Sequence, residues 1–583
     1  MSGIFTIPRW RTSPVLLRQA RLGACLISLL LLQGCNRLST DSTATKPPSE
    51  ELDGHGYVTY KETDYISSGS GRRSGTLLIG GSGDTANLDP HGVSAAYIQW
   101  FGRFVFDNLI YLDAKGDHQP WLATSWTISP DRLVYTFHLR NDVTFSDGSR
   151  FDAEAVKVNL EHMRDPETRS PLAARYIEPY AEGRVIDDFT FEARLSYPYG
   201  PFLDVLAQSW LAMISPKQIR ENPKSILSAP IGSGPYVLES YERQKGLKFV
   251  RRPDYHWAPP YIKHDGPAYF DRVEIEFISE AVLRYVGLAG GKYDVVFDAP
   301  AQNARSIRAN PQLVLDRRIR QGIPNRGLTF NTATPPFDDE RVRRAVVKAV
   351  DREGLVQIVG FGEFGYKSDL LGATTRFYDP SFRDVLGYDP AASNRLFDEA
   401  GWTGRDAEGY RTKDGKRLSA EMLSSETTTP NNVVVAAKAD LKKVGFELRI
   451  VPLTLPQLTE RRNAGNFGLT SGGVWHTNTP DALYINYHSD QIATPGRPAQ
   501  NSSRLRDPLF DDLVAQARRV SDPAELQDLY SKAQKRIVEL APSMPLYENY
   551  TVIAYNRRVH DLIFDTSHNT PLFTAAWREE KKP

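Results

Sequence analysis

The chain is poor in cysteine and in long hydrophobic runs, and both shortages limit what it can be. Only Cys25 and Cys35 occur among its 583 residues. Cys25 lies inside an apolar leader segment, so a disulfide framework or a cysteine-based metal site is not expected in the folded body. The one extended apolar run, residues 22–32, is shorter than the about 20 residues that a membrane-spanning helix needs. We therefore do not expect a transporter that acts by itself.

Motifs of catalysis and of nucleic-acid binding are also missing. The sequence contains no His-Glu-x-x-His, no Walker A motif and no nucleophile elbow. Its eleven histidines show no metal-ligand spacing. Basic and acidic residues balance at 71 each, which leaves no basic surplus for a nucleic acid. We expect a protein that is not an enzyme, needs no cofactor or metal and binds no nucleic acid.

One glycine-rich segment matches the pattern of a dinucleotide-binding motif. Residues 81–86 read G-x-G-x-x-A directly after a strand pattern, and a dinucleotide site would need a helix to begin there. Pro90 would interrupt such a helix in its first turns. The segment is therefore interpreted as a loop that leaves the first strand.

The N-terminus contains an export signal. Four arginines and no acidic residue precede the apolar run, which is typical of a signal peptide. The run ends in Leu32-Gln33-Gly34-Cys35, which resembles the lipobox of bacterial lipoproteins, a family in which this cysteine is diacylated. The resemblance implies a signal peptide over residues 1–34 and a lipid anchor on Cys35, at the periplasmic side of the cell envelope. An ordinary cleaved signal and a Gram-positive cell surface are the alternatives.

The rest of the chain mixes helix and strand patterns behind a polar linker. Residues 35–75 are rich in Ser, Thr, Pro, Gly and charge, which predicts a flexible tether. Apolar residues alternate at Tyr135, Phe137 and Leu139, as in a half-buried strand. Asp522-Pro523-Ala524-Glu525 combines a cap, a proline at the first helical position and an acid three residues after the cap, which predicts a helix start. These patterns favour α/β lobes.

The order of several short motifs is the most specific feature of the body. Along residues 76–580 they are Asn87–Pro90, Leu122–Trp126 running into Asp131–Arg140, Phe145–Gly148, Ile231–Tyr236, Arg252–Trp257, Gly290–Asp294, Pro335–Arg352 and Ala541–Leu546. Together they resemble the bacterial extracellular solute-binding proteins of family 5, the binding components of peptide, nickel and opine ABC importers.

The resemblance implies an α/β, two-lobed fold of the type II periplasmic-binding-protein kind, which closes on a ligand in the cleft. It implies a first lobe built from residues 76–107, 229–328 and 546–583. An extra subdomain, residues 108–228, is inserted in that lobe, and residues 329–545 form the second lobe. We expect the protein to be a monomer.

The resemblance also implies where a ligand would bind. In the family, the loop after the first strand and a strand-end loop of the second lobe line the cleft. The residues so implied are Val93, Ser94, Tyr97, Trp475, His476 and Asn478. Trp475 would offer a flat apolar wall at a small entropy cost. Packing without ligand contact is the alternative role for Ser94, Tyr97 and Trp475.

Asn478 departs from the oligopeptide binders that this family contains. Those proteins resemble Trp-x-x-Asp at this place, and the Asp pairs with the α-ammonium of the peptide. This chain has Trp475-His476-Thr477-Asn478, and an amide cannot neutralise an ammonium, whose unpaired burial is costly. Either Asp481 or another acid reaches the site, or the solute has no free amine there.

These observations lead to one main hypothesis. The chain is expected to be the substrate-binding lipoprotein of an ABC importer, which captures a peptide or peptide-like solute and delivers it to a permease in the inner membrane. A binding protein for a non-peptide solute, such as an opine, a metal chelate or a glycoconjugate, is the first alternative. An exported hydrolase and a chaperone-like lipoprotein are the others.

Overall fold

The computed structural model describes residues 51–580, except 53–57, 86, 426–431, 495–496 and 498. The predicted signal peptide and Cys35 lie outside the described residues. Within them, no helix combines the length and the apolar character that crossing a bilayer requires.

A seven-stranded mixed sheet forms the first of two lobes. In spatial order its strands are Tyr236–Glu242, Gly246–Arg251, Phe270–Phe277, Ser74–Gly81, Val295–Phe297, Tyr550–Asn556 and Leu313–Ile319. The strand Ser74–Gly81 is parallel to both of its neighbours, and the other pairs are antiparallel. The helices of this lobe are Ile98–Val105, Ala281–Ala289 and Ala304–Ala309.

A four-stranded antiparallel sheet lies within residues 108–228. Its strands, in spatial order, are Ala123–Ile128, Val134–Leu139, Thr190–Leu195 and Tyr180–Asp187. The alternation predicted at Tyr135, Phe137 and Leu139 is confirmed, since all three side chains are buried. The helices here are Ala153–Arg164, Ala173–Tyr176, Phe202–Leu206 and Pro216–Glu221.

A five-stranded sheet forms the second lobe. Its strands are Glu447–Leu453, Ser419–Ser425, Leu469–Thr470, Asn325–Phe330 and Ser543–Tyr547 in spatial order. The helices around it are Glu340–Ala349, Arg352–Val359, Pro390–Glu399, Asn432–Lys443, Leu455–Ala464, Ala482–Tyr487, Pro508–Ala517 and Pro523–Leu540. The helix start predicted at Asp522 is confirmed, because this side chain accepts hydrogen bonds from the backbone of Ala524 and Glu525.

Short elements complete the described part. The paired strands are Glu51–Leu52 with Val58–Thr59, Ile110–Leu112 with His118–Pro120, Gly322–Ile323 with Trp475–His476, Gly404–Arg405 with Arg411–Lys413, which also pairs with Lys416–Arg417, Val559–His560 with Trp577–Arg578, and Ile563–Asp565 with Thr570–Leu572. The 3₁₀ turns are Glu62–Asp64, Pro166–Thr168, Ser209–Leu211, Pro223–Leu227, Ala301–Asn303, Pro380–Phe382 and Ser489–Gln491.

The chain passes between the lobes at two places. It leaves the first sheet after Leu313–Ile319 and enters the second at Asn325–Phe330, and it returns between Ser543–Tyr547 and Tyr550–Asn556. The first lobe and its inserted subdomain share one hydrophobic core, while the second lobe has its own. Two separate cores joined by short crossings allow the lobes to move relative to each other.

Residues from Tyr60 onward do not form the flexible tether that their composition predicts. Tyr65 is buried, and its hydroxyl donates to Asn569 Oδ1 at 2.8 Å. The backbone N–H of Ser67 donates to the carbonyl of Tyr261 at 3.0 Å. This part of the prediction is wrong because one buried aromatic ring and a few specific bonds fix a segment that is polar on average.

Candidate ligand-binding site

A cavity of about 380 Å³ lies between the two lobes. Ser94, Ala96 and Trp210 line it from the first lobe and its inserted subdomain, and residues between Arg326 and Arg504 line it from the second lobe. Its size is within the range of small-molecule sites, about 300–1,000 Å³. A solute held here would contact both lobes at once.

The loop after the strand Ser74–Gly81 supplies the first-lobe wall. The next helix begins only at Ile98, which confirms the interpretation of residues 81–86 as the start of a loop, Ala86 itself lying outside the described residues. Within the loop, Ser94 is exposed towards the cavity, whereas Val93 is buried. Tyr97 packs against the first-lobe core and does not line the cavity.

A buried polar cluster anchors this loop to the helix Ala153–Arg164. Asp89 accepts a hydrogen bond from the backbone of His91 at 2.8 Å, and the His91 ring contacts the Ala212 carbonyl and His162 Nδ1, both at 2.9 Å. The donor atoms of Asp89, His91 and His162 lie within 4.8 Å of one another, and imidazole and carboxylate are ligand types that zinc uses. Asp89 and His91 are two residues apart, but His162 follows 71 residues after His91, so the sequence spacing did not reveal the cluster. The hydrogen bonds of these residues account for them as a loop anchor.

Trp475 forms the second-lobe wall that the sequence predicts as a candidate. The strand Trp475–His476 pairs with Gly322–Ile323 at the first crossing, which fixes the loop next to the hinge. The Trp475 side chain is half-buried, packs against the cores of both lobes and lines the cavity. Its ring is therefore shared between interlobe packing and the cavity surface.

His476 also lines the cavity, but its ring is engaged by protein groups. Arg320 Nη1 lies 3.2 Å from His476 Nε2, and the Asn549 side chain contacts its Nδ1. Burial, followed by the charge of Arg320, lowers the pKa of His476 well below its ordinary value. Burial also lowers the pKa of Arg320 to about 9. A neutral imidazole and a guanidinium thus lie side by side at the crossing.

Asn478 and Asp481 bind protein groups across the lobes. Asn478 accepts from Gln208 Nε2 and donates to the carbonyl of Asp204, both at 2.8 Å. Asp481 is completely buried, accepts from the Tyr199 hydroxyl at 3.0 Å and pairs with Arg518 Nε at 3.1 Å. Neither residue lines the cavity of Ser94 and Trp475.

A second interlobe cavity, of about 590 Å³, has Asn478 in its lining. Its lining includes Asp113, Lys115, Arg376 and Asp379, so both charge signs are present. Of the sequence-predicted residues, Ser94, Trp475 and His476 meet around the smaller cavity. Val93, Tyr97, Asn478 and Asp481 lie outside its lining, and the ligand contact of all seven stays a prediction.

Three arginines of the smaller cavity were not among the predicted residues. Arg326 comes from the strand Asn325–Phe330, Arg462 from the end of the helix Leu455–Ala464, and Arg504 from a loop. Arg326 Nε donates to the Gly473 carbonyl at 2.9 Å. No motif connects these positions, and only the folded topology brings them together.

Comparisons with known proteins define the class of this fold and site. Residues 117–493 match the family model of the bacterial extracellular solute-binding proteins, family 5 (middle). The structure aligns with NikA from Brucella suis in complex with Fe(III)-EDTA at a TM-score of 0.75 and 24% identity, over 86% of this chain and 100% of that one. The predicted α/β, two-lobed, type II periplasmic-binding-protein fold is confirmed.

The family match spans more than half of the chain, and the chain belongs to family 5 of the bacterial extracellular solute-binding proteins. The glutathione-binding protein GsiB of Escherichia coli (strain K12) is 27% identical over 494 residues, which are 83% of this chain and 91% of that protein. The periplasmic binding protein DppA from Helicobacter pylori, solved with the peptide STSA, is 25% identical with a TM-score of 0.73, over 87% of this chain and 99% of that one.

Proposed function

We propose that the chain captures a peptide or peptide-like solute in the smaller interlobe cavity and delivers it to an ABC permease in the inner membrane. The observation that carries this proposal is that one cavity is lined from both lobes, by Ser94 on one side and by Trp475 and His476 on the other. A solute that bridges both walls stabilises the closed arrangement, because it gains contacts that the open arrangement lacks. A permease can then distinguish loaded from empty protein by shape.

The ligands of the relatives support a solute of this size. GsiB is named for glutathione binding, and the DppA structure contains a short peptide. The same fold also holds an iron chelate in NikA, so a non-peptide solute is the alternative for this chain.

We further propose that the protein is lipid-anchored, and we expect it to be a monomer and not an enzyme. Cys35 follows Leu32-Gln33-Gly34, as in a lipobox, and would carry the anchor on the periplasmic side. Replacing Cys35 with serine should release the protein from the membrane fraction, with Cys25→Ser as the matched control. Membrane association that survives Cys35→Ser would contradict the anchor.

Native mass spectrometry of the full chain purified from its host tests the binding role. We expect a 1:1 complex with a small molecule, which Trp475→Ala weakens while Trp126→Ala, a half-buried tryptophan of the inserted subdomain, does not. Chemical conversion of that molecule by the protein, or the absence of any bound molecule, would contradict the proposal.

A further inference from the structure

The charge of the smaller cavity indicates the chemical class of its solute. Its described lining contains three arginines, Arg326, Arg462 and Arg504, and no aspartate or glutamate. Resting on the proposed function above, we propose that the solute is a small polar anion with two or more carboxylates, and that these arginines bind it.

Among the residues that the structure describes, no acidic side chain pairs with these arginines. Arg326 contacts the Gly473 carbonyl at 2.9 Å and Asn486 Oδ1 at 3.3 Å, and Arg504 contacts the Ala493 carbonyl at 3.4 Å. All three acceptors are neutral. Burial and the nearby charge of Arg326 lower the pKa of Arg462, which reports two cations that repel each other across a partly dehydrated space.

Elsewhere the buried arginines are compensated in one of two ways: Arg284, Arg343 and Arg352 each donate two or more hydrogen bonds to carbonyl oxygens, and others pair with acids. Arg103 lies 2.9 Å from Asp565, Arg318 lies 3.2 Å from Asp316, and Arg518 lies 3.1 Å from Asp481. An unpaired buried charge is costly, so proteins compensate it or leave it for a ligand. Arg462 and Arg504 differ from both groups, because they line the cavity and the side chain of each has at most one hydrogen bond among the described residues.

The geometry around Arg504 favours a role in binding. Arg504 has a φ of +56°, a left-handed conformation that costs energy for a residue with a side chain and is often found at ligand sites. Its guanidinium lies against Gly465, where an added Cβ would be 3.0 Å from Arg504 Cζ. The absence of a side chain at Gly465 thus gives the guanidinium its place beside the cavity.

The number of arginines in the cavity indicates how many carboxylates the solute carries. One guanidinium fork pairs with one carboxylate through two parallel hydrogen bonds. Arg326 already donates to protein groups through Nε and Nη1, so the forks of Arg462 and Arg504, from a helix end and a loop, are the two that carboxylates would occupy. Polar groups of Asn463, Ser471 and Gln500 in the same lining suit the remaining polar atoms of such a solute.

A competition experiment on the full chain tests this proposal. The chain is incubated with an equimolar mixture of acidic and neutral compounds. The acidic compounds are tripeptides with two or three carboxylates and glutathione, and the neutral counterparts are their Gln-substituted and C-terminally amidated forms and glutathione diethyl ester. Native mass spectrometry then identifies the compounds that are bound. We expect only compounds with two or more carboxylates to be retained. Retention of the neutral compounds alone would overturn the anionic class but leave the proposed function standing, and retention of nothing would overturn both.

Two substitutions then locate the contacts. Arg462→Gln and Arg504→Gln should each weaken binding of the retained di-acid about tenfold or more, because hydrogen bonds to charged groups are among the strong ones. If the solute carboxylate that an arginine binds is converted to an amide, the unmodified chain should lose the same affinity as the arginine variant does. The variant itself should lose little further affinity for the amidated solute. Arg506→Gln, an exposed arginine outside the cavity lining, is the control. Equal affinities of all folded variants, verified by thermal melting, would overturn the assignment.

Discussion

The two lobes meet in two regions that use charge in opposite ways. Around Asn478 and Asp481, the polar groups are bound by protein partners, among them Gln208 and Arg518. Around Trp475, Arg326 and Arg504 donate to neutral acceptors. The first region holds the lobes against each other, and the second has cationic groups that are available to a ligand. An acid that lies near a ligand loop in sequence is therefore not by itself a ligand contact.

The largest expected effect comes from breaking the buried ion pair of the first region. Asp481→Asn keeps an acceptor for Tyr199 but leaves Arg518, 5% exposed, with only the half-exposed Glu178, at 3.9 Å, as an acidic partner. We expect the free energy of unfolding to fall by about 3–5 kcal/mol, measured by urea unfolding with tryptophan fluorescence. Asp528→Asn, which removes a surface pair with Lys532, should cost less than about 0.5 kcal/mol. Equal losses would contradict the contrast.

Asn478→Asp introduces the acid that the oligopeptide binders of the family have at this position. The amide of Asn478 donates to the Asp204 carbonyl, and a carboxyl can do so only while protonated. We expect a loss of about 1–3 kcal/mol at neutral pH, which grows as the pH rises because the folded state favours the protonated group. Calorimetry should show no gain in affinity for peptides with a free α-ammonium, and a gain of tenfold would contradict this assignment.

Acid pH should weaken the chain through its buried histidines. Burial lowers the pKa of His91, His476 and His568 well below the ordinary value. The unfolded chain protonates these groups near pH 6.5 while the folded chain keeps them neutral, so stability falls as the pH drops below about 6.5. Each histidine contributes about 1.4 kcal/mol per pH unit.

Unfolding at pH 7.5 and at 5.5 checks this slope. His476→Gln should make the difference between the two pH values smaller, whereas His138→Gln, an exposed position, should leave it unchanged. An unaltered slope in His476→Gln would show that this imidazole is not held neutral.

The smallest expected effect comes from the interlobe hydrogen bonds of one side chain. Gln208→Ala removes the bonds to Asn478 and Thr477 and should shift the lobes towards the open arrangement by about 1 kcal/mol. Solute affinity should drop by up to about tenfold, as measured by calorimetry. Gln218→Ala removes bonds to Ser225, Ala229 and Ile231, none of which belongs to the second lobe, and should reduce stability without changing affinity. A similar drop in both variants would contradict a specific role of the Gln208 bonds.

Local structure could largely be predicted from the sequence. The helix start at Asp522 is encoded by a side chain that caps the helix directly after it, so a short window of sequence contains the whole signal. Ordered motifs along 76–580 identified the family and, through it, the two-lobed fold. The docking of Tyr65 could not be predicted, because it depends on partners near the other end of the chain.

The candidate site was predictable only in part. Trp475 and His476 lie in a loop that the family resemblance marks, and both line the cavity. Arg326, Arg462 and Arg504 are separated by long stretches of sequence, and an isolated arginine carries no sign that its charge will be left unpaired after folding. Charge compensation is a property of the folded surroundings, which a single sequence does not display.

The distance between the lobes with and without solute tests the central claim most directly. Spin labels on Lys248→Cys in the first lobe and Lys442→Cys in the second, both exposed, report this distance by double electron–electron resonance. The account predicts that the solute shortens and narrows the distance distribution, and that Arg462→Gln with Arg504→Gln abolishes this response at the same solute concentration. A distribution that the bound solute leaves unchanged would contradict binding between the lobes.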